Sequence, residues 1–173
     1  MEYLISDTHF NHKKIIEYCN RPLDYEERIA KSLSLVHKED ILIHLGDICC
    51  GKDVGVHKKY IQPIKGRKIL VRGNHDSKSD FWYMDHGWDF VCDSFTLEKY
   101  GATMCFSHIP RPWDGIWTVN IHGHLHTFGR IHACKDYLRQ WHQLISCEEN
   151  NYQLYSLRVI AEKFPKAVEY REE

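Results

Sequence analysis

The sequence predicts an α/β sandwich of mixed β-sheets in a single domain spanning residues 1–173. Three observations carry that prediction. Apolar strand-like runs alternate with helix-like stretches through the first half. Strand runs separated by turn residues dominate the second half, where they read as hairpins. A length of 173 residues suits one domain rather than two. A chain of this size buries most of its unfolded apolar surface, so it needs neither disulfide nor structural metal to fold.

The elements follow in order along the chain. Leu4-Ile5-Ser6 is a short strand that runs into Asp7-Thr8-His9. Asp24 stands where a helix N-cap belongs, with Glu27 as a capping-box partner, and Tyr25, Ile29, Leu33 and Val36 form one apolar stripe at helical spacing. Ile41 to Leu45 is a compact strand broken by Gly46-Asp47, and a weaker helix covers Val54 to Ile61 before Gln62-Pro63 and Gly66 close it. Ile69-Leu70-Val71 is the next strand and ends in Gly73-Asn74-His75-Asp76. Phe95-Thr96-Leu97 and Thr103 to Phe106 flank Lys99-Tyr100-Gly101 as a hairpin, the second strand ending at Ser107-His108. Thr118 to Ile121 is a strand that leads into His122-Gly123-His124-Leu125-His126. Ser156 is placed to cap a last helix, Leu157 to Phe164, before a polar tail from Pro165.

Composition excludes several classes. Hydrophobic residues make up 43% and charged residues 27%, an ordinary globular balance. A net charge of −1 gives no bulk argument for a nucleic-acid or membrane partner. No apolar run approaches the roughly 20 residues a membrane span needs. The first residues read as a strand rather than a signal peptide. Seven cysteines without a Cys-x-x-Cys pair point to reduced thiols in a cytoplasmic protein. Histidine is the unusual entry in the composition, at 13 residues.

Where those histidines fall is informative. Five strands end in residues that bind metals or move protons: Asp7/His9, Asp47, Asn74/His75/Asp76, His108 and His124/His126. Open α/β sheets place ligands beyond the carboxyl ends of their strands, so these ends can converge. In an extended segment, Asp7 and His9 point the same way, as do His124 and His126, with Gly123 allowing close approach. The Asp/Asn/His donor set suits Mn, Fe, Zn, Ni or Co, without the thiolates of a closed structural zinc site. Seven candidate ligands are too many for one ion and enough for two if one carboxylate bridges. Ion pairs about 3.5–4 Å apart clamp phosphoesters during hydrolysis.

Asp7-x-His9, Gly46-Asp47, Gly73-Asn74-His75-Asp76, His108 and Gly123-His124-x-His126 resemble, in order, the motifs of the calcineurin-like metallophosphoesterases. Within that superfamily, Asp7-Thr8-His9-Phe10-Asn11-His12 with Asn20-Arg21-Pro22, and Ser107-His108-Ile109-Pro110 with Trp113-Asp114-Gly115, resemble the small capless bacterial and phage-type enzymes. The resemblance implies a four-layer αββα sandwich of two mixed β-sheets flanked by helices. It implies two divalent metal ions, Mn²⁺ foremost, with Fe, Zn, Ni or Co as alternatives. One ion would take Asp7, His9, Asp47 and His126; the other would take Asp47, Asn74, His108 and His124, with Asp47 bridging. A hydroxide between the ions would attack phosphorus, His75 would assist the leaving group, and Asp76 would hydrogen-bond His75 and fix its tautomer.

The expected activity is metal-dependent hydrolysis of phosphodiesters, including nucleotides or cyclic nucleotides, because the short spacing between motifs leaves no room for a cap. The competing readings are a phosphomonoesterase, a non-catalytic scaffold for a protein partner, and a metal-sequestering protein. A scaffold would show eroded ligands, and sequestration has no use for His75-Asp76. Arg21, Arg72 and His12 are candidate substrate contacts, with a surface ion pair as the rival reading for Arg72. Trp113 and Trp117 are candidates for an aromatic wall on which a base stacks, or for ordinary core. His44 reads as a satisfied core residue, His122 as an addition outside the motifs, and Cys49 and Cys50 as small buried hydrophobes.

Overall fold

The computed structural model describes residues 1–127 and 141–164. In chain order, the strands are β1 (Glu2–Ile5), β2 (Ile41–His44), β3 (Arg67–Val71), β4 (Phe90–Cys92), β5 (Ser94–Lys99), β6 (Ala102–Ser107), β7 (Val119–His122), β8 (His142–Leu144) and β9 (Tyr155–Ser156). They form two mixed sheets with flanking helices, one ordered β4-β3-β2-β1-β9 and the other β5-β6-β7-β8. In the first sheet, β1 to β4 are parallel and β9 is antiparallel to β1. In the second, β5 and β6 form an antiparallel hairpin, while β6, β7 and β8 are parallel. The expectation that hairpins dominate the second half is therefore corrected: among the described residues β5–β6 is the one hairpin, and two parallel pairings follow it. Its turn matches the sequence reading, since Lys99 pairs with Ala102 and Tyr100-Gly101 both adopt positive φ, as a two-residue type I′ turn requires.

The period-two alternation of the first sheet separates two cores. Leu4, Ile43, Leu45 and Val71 point to one side, where they pack with Met104, Phe106, Val119 and Ile121 of the second sheet. Ile5, Leu42 and Leu70 point to the other, where they meet the helices α1 (Ile15–Tyr18), α2 (Tyr25–Leu33), α3 (Asp53–Val56, continuing as a π-helical turn over His57–Ile61) and α4 (Asp80–Asp85). Tyr25, Ile29 and Leu33 of α2 are buried as one stripe, and Val36 is buried just beyond the helix end. The last helix, α5 (Leu157–Ala161), adds Leu157, Ile160 and Ala161 to the core between the sheets.

Local capping differs from the sequence reading. Asp24 precedes α2 without a side-chain capping bond, because its carboxylate accepts from Arg28 Nε one turn on. Ser156 likewise makes no capping bond, and α5 ends at Ala161 rather than Phe164. Ser79 is the hydroxyl that caps, accepting from Trp82 N at the start of α4. The tail from Pro165 lies outside the described residues. Among the described residues, no helix is long and apolar enough to cross a membrane.

Phe106 is fully buried between the sheets and its ring stacks on Phe95 at 4.5 Å. We expect Phe106→Ala to lower the free energy of unfolding by about 3–5 kcal/mol. Urea denaturation followed by circular dichroism measures this, and a loss below about 1 kcal/mol would show that this core repacks freely.

Candidate metal centre and active site

The parallel strands of both sheets deliver their carboxyl ends to one edge, and the loops beyond them continue to pair. Asp7 N donates to Gly46 O at 2.9 Å, His9 N to Asp47 O at 3.0 Å and Phe10 N to Ile48 O at 2.9 Å, so the loops after β1 and β2 stay zipped together. The extended geometry expected for Asp7/His9 and His124/His126 does not occur. Asp7, His9, Asp47, His124 and His126 all hold positive φ, between 47° and 69°. Left-handed backbone costs a non-glycine residue of order 1–3 kcal/mol, and it turns these side chains inward together.

Three glycines permit this crowding. A Cβ on Gly73 would strike the Asp47 carboxylate, one on Gly123 would strike Ser6 Oγ and Asp7 Oδ2, and one on Gly46 would strike the Gly73 backbone. Gly46 also has φ of 92°.

The side chains then form one buried cluster. Asp7 Oδ2 accepts from Ser6 Oγ at 2.6 Å and from His124 N at 2.9 Å, while Oδ1 is buried without a hydrogen bond. That oxygen lies 3.8 Å from His9 Nε2 and 3.7 Å from His126 Nε2. Asp47 Oδ1 accepts from His75 N at 2.9 Å, and Oδ2 stands 3.6 Å from His9 Nε2 and 3.4 Å from His108 Nε2. His108 Nδ1 lies 2.7 Å from Leu45 O, an acceptor, so Nδ1 carries a hydrogen and Nε2 is the nitrogen turned inward. There it meets Asn74 Oδ1 at 3.0 Å. Three groups of donors close enough to share an ion result among the described residues: Asp7/His9/His126, Asp7/Asp47/His108 and, behind the first, Cys19/His126/Glu148. The His124 ring is 5.2 Å from that of His108.

Converging acceptors need a cation between them, and the titration of the rings expresses the same excess of negative charge. Burial opposes a charged His108, but its hydrogen bond to Asp47 and the charges of Asp7 and Asp47 outweigh it and push the pKa up to about 9. Burial likewise opposes a charged His126, and hydrogen bonds to Cys19 and Glu148 with the Asp7 charge push it up to about 10. His9, whose desolvation dominates, is lowered to about 3 and stays a neutral imidazole. Neither ring nitrogen of His9 has a hydrogen-bond partner. Buried carboxylates, a neutral His9 whose nitrogens lack partners, and two rings whose protons a divalent ion would displace fit divalent metal ions.

His75 lies at the rim, its side chain 50% exposed and Nε2 4.0 Å from Asp47 Oδ2. Its expected partner Asp76 is occupied elsewhere: Oδ2 accepts from Asp47 N and Gly73 N, both at 2.8 Å, and Oδ1 from Ile48 N at 3.1 Å. Asp76 thus ties the β2 and β3 loops together, and no hydrogen bond joins it to His75 among the described residues. His12 sits where the sequence suggested, with His9 and His75 in the lining of a cleft of about 510 Å³.

Arg21 does not reach that cleft. Its side chain has no exposed surface, and it donates to Asp7 O, Thr8 O and Glu148 from beneath the site. A buried guanidinium with these donors engaged offers substrate nothing. Arg72 forms the surface ion pairs of its rival reading, with Asp93 and Asp80. Glu148, which the sequence reading missed, accepts from His126 Nδ1 at 3.0 Å.

The remaining candidates separate cleanly. His44 is fully buried, with Nε2 bonded to Thr8 Oγ1 and Nδ1 accepting from Gly46 N. His122 is buried beside His142, 5.2 Å between rings. Cys49 is buried as expected, but Cys50 is exposed. Trp117 belongs to the core, while Trp113 is 51% exposed and stacks on Trp141 at 5.1 Å.

Two mixed sheets end on a shared acid–imidazole cluster that forms a candidate metal centre. The chain belongs to the calcineurin-like phosphoesterase family, whose profile matches residues 3–159; it is thereby a phosphohydrolase dependent on divalent metal. It is 33% identical over 135 residues to "Uncharacterized protein MJ1445" of Methanocaldococcus jannaschii, a match covering 72% of this chain and 68% of that protein. It is 40% identical over 80 residues to the Gene 66 protein of Mycobacterium phage L5, covering 43% of this chain and 39% of that one. The crystal structure of AQ665, a protein of unknown function from Aquifex aeolicus, superposes with a TM-score of 0.76 at 30% identity, over 94% of this chain and 98% of that chain.

If the cluster holds metal, Mn²⁺ at about 100 times its dissociation constant stabilises the fold by about 2.7 kcal/mol. We expect Gly73→Ala, which displaces the Asp47 carboxylate, to lose most of that gain. Calorimetric melting with and without Mn²⁺ measures it, and an undiminished gain in the variant would remove Asp47 from the metal centre.

Proposed function

We propose that this chain, acting as one catalytic domain, is a dinuclear metal-dependent phosphodiesterase. The observation that carries the reading is Asp47 Oδ2, which stands between His9 Nε2 at 3.6 Å and His108 Nε2 at 3.4 Å. An oxygen between the imidazoles of two donor groups is where a bridging ligand belongs. Asp7, His9, Asp47 and His126 would hold one ion, and Asp47, Asn74, His108 and His124 the other. When bound, such ions activate water as a nucleophile near neutral pH and neutralise charge on the phosphoryl oxygens. Mn²⁺ suits the donor set, as do Fe, Zn, Ni and Co.

The protein's own contribution is positioning and proton delivery. Asp47 Oδ1 fixes the His75 backbone, which aims the ring over the cleft. As the bond from phosphorus to the leaving oxygen breaks and the bond from water oxygen forms, a protonated His75 gives its proton to the leaving alkoxide. Asp76 acts at one remove by holding the two loops that carry Asp47 and His75.

The shape of the surroundings supports a diester. The cleft of about 510 Å³ on the His12 side and a groove of about 310 Å³ on the Arg72 side share Asn74, so the cluster opens in two directions. A diester carries groups on both sides of phosphorus and needs both; a monoester needs one. From the second groove, Arg111 leads to a third of about 500 Å³, where the exposed Trp113 offers an aromatic face to a nucleotide base.

Purified protein with Mn²⁺ should hydrolyse an aryl phosphodiester faster than its monoester, and Asp47→Asn should abolish both activities. His75→Ala should lower kcat by about 10²–10⁴-fold with bound metal unchanged. Monoester preference would move the assignment to a phosphomonoesterase, and normal turnover in fully metallated His75→Ala would remove its proton role.

Trp113→Ala should cost about tenfold in kcat/KM for a dinucleotide, as loss of one base stack does, and leave the aryl diester unchanged. Equal loss on both substrates would contradict a base-binding role.

A further inference from the structure

We propose that Glu148, fixed by Arg21, is a positioning residue that makes the Asp7/His9/His126 position the tighter of two unequal metal positions. This inference rests on the dinuclear reading above and deepens it. Glu148 arrives from the turn that follows β8, and Arg21 from the connection between α1 and α2, so neither belongs to the loops that carry the candidate ligands.

Glu148 Oε1 is a shared acceptor. It lies 2.9 Å from Arg21 Nε, 2.8 Å from Arg21 Nη2 and 3.0 Å from His126 Nδ1. A buried carboxylate oxygen held by two nitrogens of one guanidinium is ionised. An ionised carboxylate can only accept, so His126 Nδ1 carries the hydrogen. The Nε2 lone pair is thereby directed at the side where Asp7 Oδ1 stands 3.7 Å away. Arg21 also donates to Asp7 O at 2.6 Å and to Thr8 O at 2.9 Å. One guanidinium therefore sets the backbone of one candidate ligand and the carboxylate behind another.

His108 provides the internal comparison. Its Nδ1 is held by the carbonyl of Leu45, a neutral acceptor. A carboxylate behind an imidazole raises its basicity more than a carbonyl does, since the full charge strengthens the hydrogen bond. An ordinary buried ion pair would satisfy Arg21 alone, but this one terminates on two candidate ligands of the same position and leaves Glu148 Oε2 buried without a hydrogen bond.

The test is Mn²⁺ titration of metal-free protein, with free Mn²⁺ counted by electron paramagnetic resonance. Wild type should take up two ions in two distinguishable steps. Glu148→Gln keeps shape and an acceptor for His126 but removes the charge. It should weaken the tight step by about 10–100-fold and leave the weak step in place, so that the two steps merge. Arg21→Lys keeps the charge but not the fork and should weaken the tight step by a smaller factor. Melting of the metal-free proteins separates positioning from folding: a Glu148→Gln variant that melts lower yet binds both ions as wild type does would overturn the proposal. If the weak step is the one that suffers, the assignment of the tight position is wrong. Wild type that takes up no Mn²⁺ would overturn the dinuclear reading itself, which is a different result from an unchanged variant.

Discussion

The carboxylates of Asp7 and Asp47 lie side by side with almost no exposure, and their ion-pair partners among the described residues are histidine rings alone. Burying one unpaired carboxylate is costly; burying two together is tolerable only where cations or protons come to them. Much of the molecule around them follows from that constraint. Asp76 accepts three backbone N–H groups to hold the loops in register. Ser6 and the His124 amide take up one oxygen of Asp7, and the His75 amide takes up one of Asp47. Each carboxylate is left with one oxygen free of backbone and hydroxyl donors, and those two oxygens face the imidazoles.

The two sheets are the means of bringing this about. Parallel strands β1, β2 and β3 end on one edge with β6, β7 and β8 of the other sheet, so six strand ends share that edge. The apolar layer between the sheets fixes their separation, because interiors this closely packed resist small shifts. A one-residue slip of β1 against β2 would turn Leu4 out of that layer and carry Asp7 away from Asp47 in the same movement. Fold and site are therefore held by the same register.

Much of this was legible in the sequence, and the exceptions have physical causes. The strand ends and the candidate ligands stood out because metal chemistry favours particular side chains, and those side chains sit beside glycines that their crowding requires. Glu148 was not legible: it is one of two adjacent glutamates in Cys147-Glu148-Glu149-Asn150, with no spacing to distinguish it from surface charge. It enters the site through β8, a three-residue strand too short to read as apolar alternation. Arg21 looked like a phosphate ligand because arginine suits phosphate, and only burial shows that its partners are backbone carbonyls and Glu148. Asp76 was placed against its neighbour His75, whereas three amides compete successfully for the same carboxylate. The parallel order of β6, β7 and β8 depends on crossovers, which local turn residues do not encode.

The backbone conformation of the candidate ligands sharpens the functional reading. A turn designed for stability alone would use glycine or asparagine where φ is positive, as happens at Asn11, Asn20 and Gly101. At Asp7, His9, Asp47, His124 and His126 the chain instead carries side chains for which the same conformation is strained, although Asp and His tolerate it better than branched residues do. Lys52, Tyr100 and Tyr152 hold positive φ singly elsewhere, but five such residues gathered in one cluster, and supported there by glycines and by the bonds from Asp76 and Arg21, fit the preorganisation of a polyvalent site. Residue identity at these positions is set by the donor atom it supplies and not by the backbone it must adopt. That ordering of demands separates a ligand cluster from an ordinary set of hydrogen-bonded turns.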